Sequence, residues 1–198
     1  MNVKGTRNVV KYKVYDKNGD LKRIIDEKME KEFITNEDWL KGVSCFVINE
    51  KNEVLIEKRS KKGLNPGKLD LCSGHRDNHE TLTQAMIREL KEELGIEFNE
   101  AINVKKIKEK AAPLNLGSEE KNRNFFIDFF YLKRNNSKVS IQKKEVDYIF
   151  WVPMEKCFEL IRTGKTKFPK NYNYEEIFQS IKENCFGKNE NEVDISLD

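Results

Sequence analysis

Three glutamates spaced to share one helix face form the strongest chemical signal in the sequence. Glu89, Glu92 and Glu93 stand at positions i, i+3 and i+4, so on a helix their carboxylates lie side by side and repel one another. They also fall near the C-terminal end of the predicted helix, where the helix dipole disfavours each anion by about 0.3–1 kcal/mol. Arg88 and Lys91 supply too little positive charge to balance them. A bound divalent cation such as Mg²⁺ would do so, because hard cations prefer clustered carboxylate oxygens.

These glutamates belong to a longer pattern of fixed residues that spans residues 74–96. Its members, in order, are Gly74, Glu80, Arg88, Glu89, Leu90, Glu92, Glu93, Gly95 and Ile96. They fill every fixed position of the Nudix box, Gly-x5-Glu-x7-Arg-Glu-U-x-Glu-Glu-x-Gly-U, in which U is a bulky aliphatic residue. The chain therefore resembles a Nudix hydrolase.

The resemblance assigns a role to each charged residue of the box. Glu89, Glu92 and Glu93 would be the ligands of a divalent metal, Mg²⁺ or Mn²⁺. Arg88 would orient these carboxylates through ion pairs, and Glu80 would be an outer carboxylate on the preceding loop. The resemblance thus implies a metal-dependent enzyme.

Backbone positions at the two ends of the box also follow from the resemblance. Gly74 and Gly95 would allow the tight loop-helix-loop geometry that other residues resist. Family members usually have a second glycine directly before the first box glycine, with a carbonyl oxygen that reaches the metal. Here Ser73 stands at that position, and it keeps the backbone oxygen that is expected to bind the ion.

The implied reaction is hydrolysis of the diphosphate linkage in a nucleoside diphosphate joined to another group X. Water would attack phosphorus, helped by cations that neutralise the phosphate oxygens repelling a nucleophile. The general base is left open among Glu93, Glu89 and Glu145, because the family draws it either from the box or from a later loop. The expected partner is this small-molecule diphosphate.

Substrate binding has candidates on both sides of the box glycine. Lys58 and Arg59 precede a basic loop at residues 60–67, and cationic side chains there would meet substrate phosphates. His75 follows Gly74 directly and is a further candidate for gripping phosphate. Solvated loop charges explain the same residues, so these assignments stay expectations.

Two other functions compete with hydrolysis. Residues 67–75 are also similar to the isopentenyl-diphosphate isomerase branch of the superfamily, in which a reactive Cys precedes a Gly-His pair. That isomerase binds metal through several histidines, whereas this chain has only His75 and His79, and Cys72 is predicted to point to the other face of its strand, into the core. We therefore expect a hydrolase of the isomerase-like subgroup, with the isomerase as the alternative. A non-catalytic nucleotide-binding sensor is less favoured, because every metal carboxylate is retained.

The elements that must position the box predict an α/β fold. Thr81 and Gln84 fit a capping box and Gly95 a helix stop, so a helix spans Leu82–Leu94. Strands are predicted at residues 42–48, 53–57, 102–110, 124–132 and 148–152, and helices at 26–33, 154–162 and 174–186. The resemblance implies that they build the Nudix α/β/α sandwich around a mixed β-sheet.

The expected organisation is an N-terminal extension (residues 1–38), a Nudix domain (39–186) and a polar C-terminal tail (187–198). In the extension, residues 9–15 and 21–25 predict a β-hairpin, in which Asn18-Gly19 supplies the positive φ angles of the turn. A homodimer is compatible with the family, and the hairpin would then take part in it.

Composition narrows the remaining classes. The 198 residues include 37 Lys and Arg against 34 Asp and Glu, a net charge of +3, so a nucleic acid polymer is not the expected partner. No apolar run approaches the ~20 residues that cross a bilayer, and the N-terminus lacks a secretory pattern. We expect no membrane association and a cytoplasmic location. The four cysteines have no CxxC spacing and are expected to be reduced thiols.

Overall fold

Ten strands and four helices make up the described part of the chain, which in this computed structural model covers residues 11–26, 34–61, 65–108, 110–117, 123–135 and 138–186. The strands are β1 (Lys11–Tyr15), β2 (Leu21–Asp26), β3 (Trp39–Ile48), β4 (Glu53–Arg59), β5 (Leu69–Asp70), β6 (Cys72–His75), β7 (Lys105–Lys106), β8 (Ala112–Asn115), β9 (Asn124–Lys133) and β10 (Val146–Pro153). The helices are α1 (Leu82–Leu94), α2 (Phe98–Ala101), α3 (Met154–Arg162) and α4 (Glu175–Phe186).

The strands form one mixed sheet. Its main path runs β10-β4-β3-β1-β2, with antiparallel neighbours. β9 pairs with β3 in parallel along the full length of both strands, and β6 pairs with β3 in the antiparallel sense. The short strands β5, β7 and β8 extend β4 and β9. β3 therefore carries, through β6, the strand that leads into the box.

Two apolar cores lie on the two faces of this sheet. Cys45 and Val47 of β3 pack with the buried side of α1, while Phe46 and Ile48 alternate with them and pack with α3 and α4. The Phe46 and Phe158 rings meet edge to face at 6.3 Å on the second side. Helices on both faces confirm the predicted α/β/α sandwich. Among the helices described, none combines the length and apolar character needed to cross a bilayer.

Helix α1 has the predicted ends. Thr81 accepts a hydrogen bond from the Gln84 N–H (3.2 Å), and the Gln84 side chain accepts one from the Thr81 N–H (2.8 Å), which completes the capping box. Gly95 ends the helix in the left-handed conformation, with φ of 63°. Helix α3 also has its predicted bounds, and α4 begins one residue later than expected.

The N-terminal hairpin is formed by β1 and β2 and joins the sheet where Tyr15 pairs with Trp39. The turn differs from the expectation, because Gly19 (φ 91°) and not Asn18 has the positive φ. The Asp16 carboxylate accepts hydrogen bonds from the N–H groups of Asn18 (2.8 Å) and Asp20 (3.0 Å). These hydrogen bonds hold the turn, in which Gly19 has a positive φ and Asn18 does not.

The strand predicted at residues 102–110 is reduced to the two residues of β7, Lys105–Lys106, which pair with β9. Its predicted start is wrong, because Ile102 instead closes α2 by donating its N–H to the Phe98 carbonyl at 2.9 Å. Ile102 is 54% exposed, so the apolar residues of this segment do not all lie on one buried face of a strand. β8, which contains Pro113, was not predicted, since proline is confined to edge positions in a sheet.

Some expectations fall outside the described residues. These are the start of the N-terminal extension, residues 27–33 of the helix predicted at 26–33, and the tail at 187–198; Asp26 itself ends β2.

Candidate active site

Strand β6 lies directly against the glutamate face of α1. The Ser73 N–H donates a hydrogen bond to Glu93 Oε2 at 2.9 Å. A Cβ atom on Gly74 would lie 1.9 Å from Glu89 Oε1, far inside any allowed contact. Only glycine therefore lets the carboxylate of Glu89 approach the strand this closely.

Arg88 ties the carboxylates of the box together. Its guanidinium holds Glu80 with two hydrogen bonds, of 2.7 and 3.1 Å. Its Nη1 atom donates to Glu89 Oε1 at 2.7 Å and to Glu92 Oε2 at 3.1 Å. Its Nη2 atom also donates to the His75 carbonyl at 2.9 Å. The planar fork of arginine suits such a bidentate arrangement, so Arg88 fixes the orientation of three carboxylates.

Two of the three glutamates that α1 contributes to the box are buried. Glu89 is 7% exposed and Glu93 is 3% exposed, whereas Glu92 is on the surface. Burial raises the pKa of Glu89 to about 7, and Glu92 and Glu145 add to the rise against the opposing charge of Arg88. Burial raises the pKa of Glu93 to about 8, with Glu89 adding to it. Both carboxyls therefore keep a proton to higher pH than an exposed glutamate does, although Arg88 still pairs with Glu89.

Glu57 on β4 is a third buried carboxylate that sequence reasoning missed. It is 1% exposed, and its Oε1 atom has no hydrogen-bond partner among the described residues. One of its carboxylate oxygens lies within 4.8 Å of Cys72 Sγ and of a Glu93 carboxylate oxygen. The signal that would have found it is its strand position two residues from Leu55, which packs in the α1 core.

Asp70 organises two cations beside the glutamates, and sequence reasoning missed it too. Fully buried, it pairs with Arg59 Nη1 at 2.9 Å and Lys167 Nζ at 2.8 Å. Ser73 Oγ donates to it at 3.2 Å, and Lys167 also contacts this hydroxyl. A charged residue between Leu69 and Leu71 was the available signal for Asp70. No local sequence signal indicates Lys167, because it lies in the segment after α3, far along the chain from the box.

The loop at residues 138–145 brings Glu145 to the site. Its Ser140 and Gln142 N–H groups donate to the Leu94 and Glu93 carbonyls, at 2.9 and 3.0 Å, and so cap the end of α1. The Glu145 carbonyl accepts from the Ser60 N–H at 2.9 Å, while its side chain is exposed. The structure thus places a solvent-facing carboxylate near Glu89.

Two residues predicted to bind substrate lie elsewhere. The His75 ring stacks on Tyr12 at 5.2 Å and meets Phe125 edge to face at 5.1 Å. Burial, with the positive charge of Lys167, lowers the pKa of His75 to about 4, so the ring is neutral at pH 7. Lys58 alternates with Glu57 and Arg59 along β4 and therefore points to the opposite face of the sheet.

The donor set of this site suits a divalent cation. Burial, with repulsion between the carboxylates adding to it, raises the pKa values of Glu89 and Glu93, and one buried carboxylate oxygen, Glu57 Oε1, is unpartnered among the described residues. Hard oxygen donors in such a cluster are the ligands that Mg²⁺ and Mn²⁺ take. The residues present therefore fit the expected metal.

The sequence matches a family model and, over part of its length, a known protein. A family model described as NUDIX domain matches residues 39–172. Isopentenyl-diphosphate Delta-isomerase 1 of Photorhabdus laumondii is 44% identical over 63 residues, which cover 30% of this chain and 35% of the isomerase. That similarity therefore spans about a third of the length of the isomerase.

Solved structures resemble nearly the whole described fold. The crystal structure of DR0079 from Deinococcus radiodurans has a TM-score of 0.62 and 18% identity, covering 85% of this chain and 97% of that chain. MutT protein from Methanosarcina mazei Go1 has a TM-score of 0.52 and 27% identity, covering 74% and 96%. The first of these similarities concerns the fold alone.

Proposed function

The chain belongs to the NUDIX domain family, and from that premise we propose that it hydrolyses a diphosphate linkage in a nucleoside diphosphate joined to another group X. The reaction would depend on Mg²⁺ or Mn²⁺, with water attacking phosphorus. The observation that carries the proposal is the buried pair Glu89 and Glu93, held against Gly74 and Ser73, with pKa values that burial raises. Such a pair is costly unless a cation compensates it.

Four residues would hold the metal: Glu89, Glu92, Glu93 and, through its carbonyl oxygen, Ser73. When bound, the ion neutralises the phosphate oxygens and lowers the pKa of attacking water. Arg88 keeps the carboxylates in place through the hydrogen bonds described above. Its role is positioning, because it acts through Glu89 and Glu92 and not on the substrate.

We assign the general base to Glu145. Glu89 and Glu93 are committed as ligands in the proposed ion-bound state, whereas Glu145 is exposed beside Glu89 and free to accept a proton from water. Arg59 and Lys167, both anchored by Asp70, are placed to bind substrate phosphate. We prefer them to Lys58, which points to the opposite face of the sheet, and to His75, whose ring packs against Tyr12 and Phe125.

A substrate screen tests the proposal. Nucleotide sugars, dinucleoside polyphosphates, nucleoside triphosphates and coenzyme A would be incubated with Mg²⁺ in ¹⁸O-labelled water, so that the labelled product reports which phosphorus is attacked. We expect metal-dependent hydrolysis of at least one class. Binding without turnover across the panel would instead identify a non-catalytic nucleotide-binding protein.

Substitution of Glu93 separates the site from a contaminating activity. Glu93→Gln keeps the shape of the side chain but removes its charge, and we expect turnover to fall by about a hundredfold or more. Glu50→Gln, at an exposed position in the turn after β3, is the control and should match the wild type. Undiminished turnover in Glu93→Gln would refute the assignment.

Isopentenyl-diphosphate isomerisation is the second candidate. Two observations favour it: the 44% identity over 63 residues, and the location of Cys72 beside Glu57 and Glu93. Against it, burial raises the pKa of Cys72 well above its ordinary value, and Cys72 is 1% exposed. We expect no dimethylallyl diphosphate from isopentenyl diphosphate. Its formation, with loss in Cys72→Ala, would make the isomerase the better account.

A further inference from the structure

A second group of potential metal ligands lies deeper than the box carboxylates. It consists of Glu57 on β4, Cys72 on β6 and Glu93 on α1, and each offers one donor atom within 4.8 Å of the other two. All three residues are buried, at 1%, 1% and 3% exposure. We call these three residues the inner cluster.

The inner cluster differs chemically from the box. The box offers only carboxylate and carbonyl oxygen, whereas the inner cluster combines two carboxylates with the sulfur of Cys72. Thiolate sulfur selects borderline and soft ions, while Mg²⁺ takes oxygen ligands. A mixed set of two oxygens and one sulfur, with a fourth position for water, matches the coordination of Zn²⁺.

An unsatisfied atom points independently to a missing ligand. Glu57 Oε1 is buried and has no hydrogen-bond partner among the described residues. A buried acceptor left unpaired costs about 1–3 kcal/mol, and more when it is charged. Burial raises the pKa of Glu57 well above its ordinary value, and the charges of Glu93 and Asp70 add to the rise against those of Lys167 and Arg59. A cation in the inner cluster would satisfy this oxygen.

The dimensions are compatible with an ion. With Zn–O of about 2.0–2.2 Å and Zn–S of about 2.3 Å, tetrahedral ligand atoms stand about 3.6 Å apart. The present separations, all within 4.8 Å, need only a small contraction of side chains.

We propose that Glu57, Cys72 and Glu93 form a zinc-binding site separate from the magnesium site of the box, with Glu93 common to both. Binding would release the thiol proton of Cys72, and any proton held by the two carboxyls, to solvent. The proposal does not depend on the hydrolase activity, because metal binding is measured without substrate.

The test uses Co²⁺ as a coloured substitute for Zn²⁺ in the metal-free full chain. One equivalent should produce a near-ultraviolet charge-transfer band from a single thiolate, and added Zn²⁺ should abolish it. The band should disappear in Cys72→Ala. Cys45→Ala is the matched control, since Cys45 is a buried thiol paired opposite Cys72 on the neighbouring strand β3, and it should keep the band.

A second variant leaves the thiol in place. Glu57→Gln preserves the size of the side chain and should weaken Co²⁺ and Zn²⁺ binding at least tenfold, with an unchanged far-ultraviolet circular dichroism spectrum. No thiolate band in the wild type, the same band in Cys72→Ala, or unaltered affinity in Glu57→Gln would each overturn the proposal.

Discussion

At the residue scale, the site depends on carboxylates placed where water cannot solvate them. Glu89 and Glu93 lie against β6, and burial raises their pKa values from the ordinary 4.5 to about 7 and about 8. In an exposed cluster the same repulsion would be screened by solvent. A bound cation would therefore stabilise these buried carboxylates more than it would stabilise exposed glutamates on a helix.

The role assigned to Glu145 is testable by separating chemistry from metal binding. Glu145→Gln should lower kcat by roughly 10²–10⁴-fold, as expected for loss of a general base. Mg²⁺ affinity should stay close to that of the wild type, because Glu145 is not one of the proposed metal ligands. Asp147→Asn, at another exposed carboxylate two residues further on, is the control. An unchanged kcat in Glu145→Gln would return the role to Glu89 or Glu93.

Sequence reasoning found the residues whose spacing is local and missed those that only the tertiary fold brings together. The box residues share one helix and the turns that flank it, so their proximity follows from helical periodicity. Glu57, Asp70 and Lys167 come from three distant segments. A charged residue within an apolar strand indicates that Glu57 and Asp70 are buried, but only the folded chain brings them and Lys167 beside Glu93.

At the element scale, the contact between β6 and α1 decides the geometry of the site. β6 is only four residues long, yet it pairs with β3 and presents Gly74 to Glu89. The loop at residues 138–145 holds the C-terminal end of α1 through hydrogen bonds to the Glu93 and Leu94 carbonyls. The half of the helix that carries Glu89 and Glu93 is therefore fixed both by β6 and by this loop.

Gly74→Ala tests this contact. The added Cβ would collide with Glu89 Oε1 at 1.9 Å, so the carboxylate must move, and we expect Mg²⁺ affinity to fall at least tenfold with turnover falling in parallel. Gly19→Ala is the control: its φ of 91° makes alanine costly by about 1–3 kcal/mol, in a hairpin turn that is not part of the site. Normal metal affinity in Gly74→Ala would contradict the account.

Long elements with clear periodicity were predictable, and short ones were not. α1 and α3 have their predicted bounds, and β9 extends the predicted strand by one residue. β5, β6, β7 and β8 have two to four residues each. Their pairing with β3, β4 and β9 makes them strands, since two to four residues are too few to show a period.

At the scale of the whole molecule, the order of the sheet assembles the site. β4 and β6 both neighbour β3, which places Glu57 and Cys72 beneath α1. The segment after α3 then reaches over to Asp70 through Lys167. This order includes a parallel pair between β3 and β9. It could not be predicted, because the alternating pattern of a strand does not indicate which other strand it pairs with.

Stability of the metal-free protein should fall as pH rises from about 6.5 to about 8. The unfolded chain releases the protons of Glu89 and Glu93 near their ordinary pKa of 4.5, whereas the folded protein keeps them until about pH 7 and 8. In this window the folded state binds more protons, so deprotonation favours unfolding. His75 is neutral in the folded state there, because its folded pKa is about 4, whereas in the unfolded chain it loses its proton near its ordinary pKa of 6.5, so its opposing contribution fades as the pH rises above that value.

Thermal unfolding measures this dependence. With a chelator present, Tm should fall across the window in the wild type and fall less in Glu93→Gln. Saturating Mg²⁺ should raise Tm most at the alkaline end, where the carboxylates bind the ion without releasing protons. A metal-free Tm that rises with pH across the window would contradict the burial of these two carboxylates.

Ion uptake by the box carboxylates is the most direct test of the central claim. Free aqueous Mn²⁺ gives an electron paramagnetic resonance signal that disappears when the ion binds a protein, so the bound ion can be counted without any substrate. The account predicts that the wild type removes at least one equivalent of Mn²⁺, that Mg²⁺ restores the signal, and that the double variant Glu89→Gln/Glu93→Gln removes none. A free Mn²⁺ signal that the wild-type protein leaves undiminished would contradict it.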